Sequence, residues 1–489
     1  MILLLLACRT APPAELRFVR GGVVDAEGRF EARSWAPGDQ RDGQVAPRQP
    51  ECVPMFHVEL EDQSAGAVLG APPPGAALAF SPDGNTLAIG SVGGELRLVD
   101  ANTGSTRVST RVGEGSVKRL AWSADGATLY VGEQSPDAFL LALDPTTLKA
   151  RWQKRLADEL ETSPLPPEED IYGRYGLPAA YAIRVLPDGG LLVAGSHGWP
   201  DTEGVRHNRA RLWRLDASGA VQAAYPANGV ADAIMLFPSV AGDRVLVGMS
   251  RSASGPAPTD LPVGGVLELD LATLAPRWTV TFPPLAPHFT DIFLWEAVVA
   301  GPGYAFAGLG DGRAFVLDDR GQISATLTPG VPVLAGGVPI AAGVGFAAAG
   351  PDGVWFETTS TNIPWGSADP MARPPTPHPA QYTLHSVDAR GVPRWSHAFT
   401  HAIQGVVPSP DGQTLLLGAS SRSADTRTDL YGALLVSPAD GSLITTCTTE
   451  GPVDFRPVWA PDSLRFAIAE APFLVDQQVR GAYRVTVFR

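Results

Sequence analysis

Phe80-Ser81-Pro82-Asp83-Gly84-Asn85-Thr86-Leu87 recurs in altered forms along the chain. Within it, a Pro-Asp-Gly turn joins two short runs rich in apolar residues, which is typical of two adjacent β-strands. Recurrence at intervals of roughly 40–70 residues indicates a protein built from stacked units, each of which contributes one small sheet. The other copies lie at Trp122–Leu129, Leu186–Leu192, Gly350–Trp355, Pro408–Leu415 and Trp459–Leu464.

The best-marked unit predicts four strands. They are Ala77–Phe80, Thr86–Gly90, Glu95–Val99 and a strand that follows the turn Asp100–Gly104. Alternating apolar and β-branched residues favour strands, and the Asp-Gly and Asn-Thr-Gly clusters favour the turns between them. Four-stranded units repeated along a chain predict an all-β protein with a single β-propeller, in which the units are the blades.

The number of units sets the size of the predicted ring. We expect eight blades of four antiparallel strands, and seven is the alternative because the unit at 335–360 is ambiguous. The last unit supplies only three strands, so we expect Met55–Leu60 to provide the fourth and close the ring. Candidate first strands lie near residues 77, 118, 182, 232, 295, 345, 404 and 456.

A second repeat follows the third strand of several units. It has the form Leu-Asp or Val-Asp, a short turn and Arg-Trp, and it ends in Trp152, Trp278 and Trp395. It resembles the tryptophan-docking repeat of quinoprotein-type propellers, and together with the Asp-Gly turns it is similar to the broad quinoprotein-like and WD-repeat-like propeller group over 54–489. The resemblance implies that each Trp packs between neighbouring blades, and it implies little about activity because propellers host unrelated functions.

Quinone dehydrogenases of this fold use a vicinal Cys pair against their cofactor. Here no two of the three Cys are adjacent, so we expect no bound quinone and predict no cofactor. Cys52 and Cys447 form an even pair once Cys8 is set aside, and we predict a disulfide between them because a ring brings the two ends of the chain together. Two buried free thiols are the alternative.

The N-terminus Met1–Cys8 is apolar and ends in Leu5-Leu6-Ala7-Cys8. This ending resembles the lipobox of bacterial lipoproteins, which implies lipidation of Cys8 and a lipid-anchored place in the bacterial cell envelope. There is no basic segment and the apolar run is short, so an ordinary hydrophobic N-terminus is the alternative. We therefore predict a signal with its lipobox at 1–8, a flexible Pro-rich tether at 9–50 and the propeller at 51–489.

Composition excludes some partners. Lys and Arg number 37 against 51 Asp and Glu, a formal charge of −14, and no basic run is present. Nucleic acid and anionic lipid surfaces are therefore unfavourable partners, since both attract basic patches. A monomer is expected.

Loop length differs between the two faces of the predicted ring. The turns between first and second strands and between third and fourth strands are short, and they share one face, called here the turn face. The opposite face, called the loop face, carries long insertions, which predicts a recognition surface on a rigid scaffold. These insertions are 196–208, 250–262, 358–381, 420–430 and 471–479, with the long links 156–176 and 282–290.

Several side chains in these insertions are predicted partner contacts. Acidic and aromatic residues on exposed loops suit a basic surface or a glycan, although a solvated acidic loop and local packing are the alternatives. The predicted contact residues are Glu168, Glu169, Asp170, Tyr172, Trp199, His207, Trp365 and Tyr382.

Catalytic and metal-binding signatures do not occur in the sequence, so we name no catalytic and no metal-ligating residues. The leading hypothesis is an envelope propeller that binds a protein or carbohydrate partner through the loop face. The rival is a hydrolase, lactonase-like or glycan-active, with paired carboxylates in the central channel.

Overall fold

A computed structural model describes most of the chain. The described residues are 17–19, 22–24, 30–32, 40–41, 44–45, 50–60, 77–113, 115–160, 177–200, 206–250, 264–283, 285, 296–362, 376–419, 431–453, 457–475 and 478–489. Within these ranges the chain forms antiparallel strands and one short helix, α1 (Ala157–Leu160). The predicted all-β class is therefore confirmed.

Short strands precede the repeated units. β1 (Arg17–Val19), β2 (Gly22–Val24) and β3 (Phe30–Ala32) form a three-stranded sheet, and β4 (Gln40–Arg41) pairs with β5 (Gln44–Val45). The strand β6 (Pro54–Glu59) follows them.

Seven successive units then form antiparallel sheets in chain order, and the single pair Gln134↔Ala179 joins the second and third of them. Sheet 1 contains β7 (Ala77–Phe80), β8 (Thr86–Gly90), β9 (Glu95–Asp100) and β10 (Thr106–Arg111). Sheet 2 contains β11 (Ser116–Trp122), β12 (Leu129–Gln134), β13 (Phe139–Leu143) and β14 (Ala150–Arg155). Sheet 3 contains β15 (Ala179–Val185), β16 (Leu191–Pro200), β17 (Arg206–Leu215) and β18 (Val221–Tyr225). Sheet 4 contains β19 (Ser239–Ala241), β20 (Arg244–Ser250), β21 (Gly264–Asp270) and β22 (Pro276–Thr281).

The later units keep the same order. Sheet 5 contains β23 (Val298–Gly301), β24 (Tyr304–Gly308), β25 (Ala314–Asp318) and β26 (Ile323–Leu327). Sheet 6 has an extra strand and contains β27 (Val333–Ala335), β28 (Val338–Ala349), β29 (Gly353–Asn362), β30 (Thr383–Asp388) and β31 (Pro393–Ala398). Sheet 7 contains β32 (Ile403–Pro408), β33 (Leu415–Ala419), β34 (Gly432–Val436) and β35 (Leu443–Thr448).

The last unit combines both ends of the chain. Its strands are β36 (Val458–Trp459), β37 (Phe466–Glu470) and β40 (Arg484–Phe488), while β38 (Phe473–Val475) and β39 (Gln478–Arg480) form a separate hairpin between β37 and β40. β6 pairs with β40 from Arg484↔Glu59 to Phe488↔Pro54, so sheet 8 has the order β36-β37-β40-β6.

Most first strands lie where the spacing of the repeats predicts them. The exception is the prediction near residue 232, because the first regular strand of sheet 4 is β19, which begins at Ser239. Ala231 and Ile234 form only isolated bridges, to Ala210 and Ser250. The apolar residues there are typical of a strand, but they make only single bridge contacts beside β17 and β20.

The core lies between the sheets. Second strands such as β8 are buried along their whole length, whereas fourth strands such as β10 alternate between exposed and half-buried residues. A strand covered on both faces by neighbouring sheets needs apolar side chains in both directions. One cluster joins Leu87 and Val99 of sheet 1 to Ala467 and Val485 of sheet 8.

The repeated turn has a local explanation. Ser81 Oγ donates to Asp83 Oδ1 over 2.6 Å and accepts the Thr86 N–H at 2.9 Å, while Asp83 Oδ1 also accepts the Asn85 N–H at 3.0 Å. Gly84 supplies the positive φ of 70° that the turn requires. These hydrogen bonds keep the pKa of the Asp83 carboxyl below its usual value. The recurring sequence therefore specifies its turn without help from distant residues.

The three repeated Trp residues dock on the next sheet along the chain. Trp152 Nε1 donates to Ala217 O over 2.9 Å, Trp278 Nε1 donates to Asp319 O over 3.2 Å, and Trp395 Nε1 donates to Pro438 O over 3.3 Å. In each case a glycine of the receiving turn lies against the indole face. This is the packing that the resemblance implies for these residues.

We expect the Trp278–Gly321 contact to be measurable by urea denaturation. Trp278→Ala should lower the free energy of unfolding by about 2 kcal/mol, because it removes apolar contact and the indole hydrogen bond. Gly321→Ala should cost a similar amount, since Gly321 has φ +77° and a Cβ there would lie 2.7 Å from the indole. The double variant should lose less than the sum of the two, and fully additive losses would contradict direct packing.

Candidate functional site

The loop face carries the longest hairpins among the described residues. β16 and β17 pair without interruption from Leu191↔Leu215 to Pro200↔Arg206. β28 and β29 contain 12 and 10 residues, and the end of their ladder away from the turn, at Ala341↔Asn362, lies on this side, where the β38–β39 hairpin is also found. Part of each of these insertions is therefore an ordered antiparallel ladder that extends the scaffold.

The predicted contact residues have different positions. Trp199 lies opposite His207 near the end of the β16–β17 hairpin, and the His207 side chain is half-buried. Tyr382 is only 7% exposed, so its side chain belongs to the interior and is not available to a partner. Six further predicted residues lie outside the described part of the chain: Cys8, Glu168, Glu169, Asp170, Tyr172 and Trp365.

The ends of the 358–381 insertion are fixed to the scaffold. Thr361 Oγ1 accepts the His378 N–H at 2.5 Å and donates to Gln381 Oε1 over 2.7 Å. His378 is buried; its Nδ1 accepts the Ala380 N–H at 3.0 Å, so Nε2 carries the proton donated to Val331 O over 3.0 Å. These contacts fix the described ends of this insertion, and 363–375 between them lie outside the described residues.

Cys52 and Cys447 form a disulfide, with 4.9 Å between the Cα atoms. Cys52 precedes β6 of sheet 8, and Cys447 lies in β35 of sheet 7. The bond therefore joins sheets 7 and 8 through two residues that are 395 positions apart in sequence.

Carboxylates of the turn face are used within their own turns. Asp100 accepts from Arg107 over 2.6 Å and from two backbone N–H groups, and these contacts lower its pKa to about 2. Asp270 has the same arrangement with Arg277 and Thr273, and its pKa is also lowered to about 2. Charged groups that hold turns together are poorly suited to a partner, which favours the loop face for recognition.

A groove of about 580 Å³ lies on the turn face between sheets 1 and 2. Its charged groups include Asp83, Arg107 and Asp125. Each of them is already bonded within the repeated turns, to Ser81, Asp100 and Ser123 respectively. The groove is therefore explained by the turn structure.

A second cavity, of about 390 Å³, lies among the first strands and is called here the central cavity. β7, β11, β15, β32 and β36 line it, and Phe237 contributes a ring just before sheet 4. Pro410 of the turn after β32 is also part of the lining, so the cavity extends towards the turn face. Contributions from five sheets are expected of the central channel of a propeller.

The charged side chains in the described lining of the central cavity are cations. Lys118 and Arg119 of β11 and Arg184 of β15 line it, and no Asp or Glu is found among its described lining residues. The Lys118 ammonium lies 5.1 Å from the centre of the Tyr181 ring, and the Arg119 guanidinium lies 5.3 Å from that of Phe237. Cations over aromatic faces are attracted to the ring electrons, which helps to hold them in place.

Two buried carboxyl groups, Glu133 and Glu357, lie away from this cavity. Burial raises the pKa of Glu133 to about 7, although the Ser135 hydroxyl donates to it over 3.1 Å and opposes the shift. Burial also raises the pKa of Glu357 well above its usual value, and neither of its oxygens has a hydrogen bond within normal geometry. They lie on different sheets, in β12 and β29, and neither is among the described lining residues of the central cavity.

We expect stability to depend on pH through Glu133. Between pH 4.5 and about 7 the folded protein keeps a proton that the unfolded chain has released, so stability falls as pH rises. Relative to Glu133→Gln, the wild type should lose roughly 2–3 kcal/mol across this window. Urea denaturation at several pH values measures the difference. The comparison with the variant is needed because His385, whose pKa burial lowers to about 4, gives the opposite slope between pH 4 and 6.5.

Within the described ranges no three His, Cys, Asp or Glu side chains come together as metal ligands would. Nor does the described chain contain a helix with the length and apolar character needed to cross a bilayer.

The cationic lining of the central cavity is not predicted from sequence. Lys118, Arg119 and Arg184 are single residues in strands of ordinary composition. The available signal is their common location, since all three lie in first strands, which face the channel of a propeller. Adjacent residues of a regular strand point to opposite sides, however, so the sequence gives no reason to place both Lys118 and Arg119 in one cavity.

Comparisons with known proteins identify the fold. Residues 75–125, which cover sheet 1 and the first strand of sheet 2, match the family described as the anaphase-promoting complex subunit 4 WD40 domain. No curated protein sequence matches the chain.

Solved structures are similar over most of the chain. The C-terminal WD40 domain of Sif2 has a TM-score of 0.52 at 11% identity, and the alignment covers 89% of this chain and 97% of that one. Quinohemoprotein alcohol dehydrogenase from Comamonas testosteroni has a TM-score of 0.52 at 14% identity, with 88% and 78% covered. At such identities the likeness concerns the fold alone. This chain has a β-propeller fold similar to both WD40 and quinoprotein propellers, as its two repeats predict.

Proposed function

We propose that this β-propeller is a scaffold that binds a protein or carbohydrate partner through its loop face. The observation that carries the proposal is the difference between the two faces. Extended hairpins such as β16–β17 project from the loop face, whereas aspartates of the turn face are bonded within their turns. A rigid platform with variable loops on one side is the usual arrangement of a recognition domain.

We infer that the ring has eight blades and is closed by β6. Sheets 1 to 8 follow one another in sequence, and β6 adds the outer strand to sheet 8. The core cluster shared by sheets 8 and 1 supports closure. So does Phe56 of β6, because its ring lies against Gly104 of sheet 1 in the way that Trp278 lies against Gly321.

We also propose a lipid anchor at Cys8 and a place in the bacterial cell envelope. The support is the sequence Leu5-Leu6-Ala7-Cys8, which resembles a lipobox. A Cys8→Ala variant should move from the membrane to the soluble fraction of bacterial cells, as shown by fractionation and immunoblotting. If the variant still partitions with membranes, Cys8 is not the anchor.

Loop replacement tests the binding surface. The segment 363–375 is exchanged for a short Gly-Ser linker, while Thr361 and His378 are kept because they fix the ends of the insertion. Pull-down from the source envelope followed by mass spectrometry, with glycan-array binding in parallel, should show partners that the wild type retains and the replacement loses at least tenfold. Unchanged binding after this replacement and an equal exchange of 420–430 would contradict the proposal.

The matched control lies on the turn face. The Arg390 side chain is 83% exposed there, and its loss should leave the partners unchanged. If Arg390→Glu abolishes the same interaction, recognition occurs on the turn face. Equal thermal melting of all variants shows that each remains folded.

The hydrolase alternative requires paired carboxylates in the central channel. The described lining of the central cavity consists instead of cations, aromatic rings and apolar side chains. Binding is therefore the function that the geometry supports best.

A further inference from the structure

We propose that Asn228 is a site of spontaneous covalent modification, at which its side-chain amide is converted to an isoaspartyl or aspartyl carboxylate. The reaction consumes water and releases ammonia, and it requires no enzyme or cofactor. Three features of the surrounding loop support it: the glycine that follows Asn228, the exposure of both residues, and the position of the loop between two fixed ends. The reaction belongs to this loop and does not depend on the partner proposed for the loop face.

The residue after Asn228 is the least hindered that a protein can offer. The modification begins when the backbone nitrogen of the following residue attacks the side-chain amide carbon, Cγ, of the asparagine. A side chain on that following residue crowds the approach, and glycine has none. Asn228-Gly229 is the only Asn-Gly pair in the sequence, since the four other asparagines occur as Asn85-Thr86, Asn102-Thr103, Asn208-Arg209 and Asn362-Ile363.

Both reacting groups are accessible. Asn228 and Gly229 are exposed and lie outside the strands. Gly229 has a positive φ of 67°, and a Cβ at this position would meet nothing within 4 Å. Among the residues that the structure describes, none accepts a hydrogen bond from the Gly229 N–H and none holds the Asn228 amide. The nucleophile and the carbon that it attacks are therefore open to each other and to water.

The loop is fixed at its ends and irregular between them. Tyr225 pairs with Leu212 of β17, and Ala231 exchanges two backbone hydrogen bonds of 2.9 Å with Ala210 of the same strand. Residues 226–230 between these points belong to no strand. Exposed backbone of this kind samples alternative conformations at little cost, including those in which the Gly229 nitrogen reaches Asn228 Cγ.

The reaction has two steps. The Gly229 nitrogen first forms a bond to Asn228 Cγ; its proton and the side-chain nitrogen leave as ammonia, and a succinimide ring remains. The two groups belong to adjacent residues, so this step is favoured by proximity. Water then adds to one ring carbonyl and breaks its bond to the nitrogen, which regains a proton. Opening at Cγ gives aspartate, whereas opening at the backbone carbonyl gives an isoaspartyl residue, whose peptide bond runs through Cγ.

Either product changes the loop face. A carboxylate replaces a neutral amide in the link between sheets 3 and 4, and the isoaspartyl product also lengthens the main chain by a methylene group between Tyr225 and Ala231. The new charge lies beside Arg211, whose Nη2 donates to Ala227 O over 3.3 Å and whose Nη1 lies 3.4 Å from Glu159 Oε2. The modification therefore alters charge and backbone length next to the β16–β17 hairpin.

Incubation of the full chain in mildly alkaline buffer tests the proposal. Peptide mapping by mass spectrometry follows deamidation at each asparagine, and an S-adenosylmethionine-dependent isoaspartate methyltransferase labels the isoaspartyl product. We expect Asn228 to react about tenfold faster, or more, than Asn85 and Asn102, which are also exposed but precede threonine. The native rate should lie within about tenfold of the rate in urea, because the loop does not shield the amide.

Variants assign the reaction to this pair of residues. Gly229→Ala should slow it about tenfold, because a Cβ hinders the attacking nitrogen. Gly303→Ala is the matched control, since Gly303 also has a positive φ, of 72°, and open space for a Cβ, and it should leave the Asn228 rate unchanged. Asn228→Gln should remove the label at this position, because glutamine would have to close a larger ring.

Three results would overturn the proposal. They are an Asn228 rate no higher than that of Asn85 and Asn102, a native rate far below that of the chain in urea, and an unchanged rate in Gly229→Ala with normal melting. The first would show that the glycine gives no advantage. The second would show that the folded loop protects the amide, and the third that the Gly229 nitrogen is not the attacking group.

Discussion

Reduction of the Cys52–Cys447 disulfide should lower the free energy of unfolding by about 4 kcal/mol. The bond closes a loop of 395 residues, so it removes a large part of the conformational freedom of the unfolded chain. It also holds β6 against sheet 7, where the two ends of the chain meet. Urea denaturation of the oxidised and reduced protein measures the difference.

The Cys52→Ser, Cys447→Ser double variant is the control. It should match the reduced wild type and should not respond to a reducing agent. Two outcomes would contradict the prediction: equal stability of the oxidised and reduced protein, or titration of both thiols in the native protein under oxidising conditions.

Glu470→Ala should destabilise the protein by about 4 kcal/mol. The Glu470 carboxylate is fully buried, and it accepts from Arg484 Nε over 3.0 Å, from the Thr486 hydroxyl, and from the N–H groups of Glu450 and Gly451. Removing it leaves a buried guanidinium and two N–H groups without this acceptor. Thermal melting and urea denaturation measure the loss.

Glu450 is a matched control for this network. Its carboxylate also approaches Arg484, at 3.5 Å, but it is 69% exposed. Glu450→Ala should therefore cost less than about 1 kcal/mol, since exposed ion pairs contribute little. A Glu470→Ala loss no larger than the Glu450→Ala loss would show that burial does not strengthen this interaction. The Glu470→Leu, Arg484→Met double variant should recover much of the stability, because it removes both buried charges together.

The features of the fold that could be predicted from sequence are those that depend on contacts between residues close along the chain. Ser81, Asp83 and Gly84 form a complete turn within six residues, and the same turn recurs at Ser123 and Ser409. The place of Trp278 in its unit could be predicted from its spacing along the sequence after Asp270, because both residues lie in one hairpin. The first strand near residue 232 was placed wrongly, since apolar residues there make isolated bridges rather than a regular strand.

The candidate site was less accessible to sequence reasoning. Loop lengths indicated the loop face, but Tyr382, an aromatic residue beside an insertion, proved to be buried. Composition alone does not distinguish a tyrosine that faces a partner from one that anchors a loop. Glu133 and Glu357 likewise looked like ordinary strand residues, although burial raises the pKa of both.

The repeats by themselves determined the propeller, its four-stranded units and its short-turned and long-looped faces, because those features follow from turn chemistry and spacing along the chain. Only the tertiary structure decided the central cavity and the cations in its described lining. Lys118, Arg184 and Trp459 meet there from sheets 2, 3 and 8, and a bulge in β11 directs Lys118 into it. Such contacts depend on how distant strands are arranged around a ring, and no local pattern encodes them.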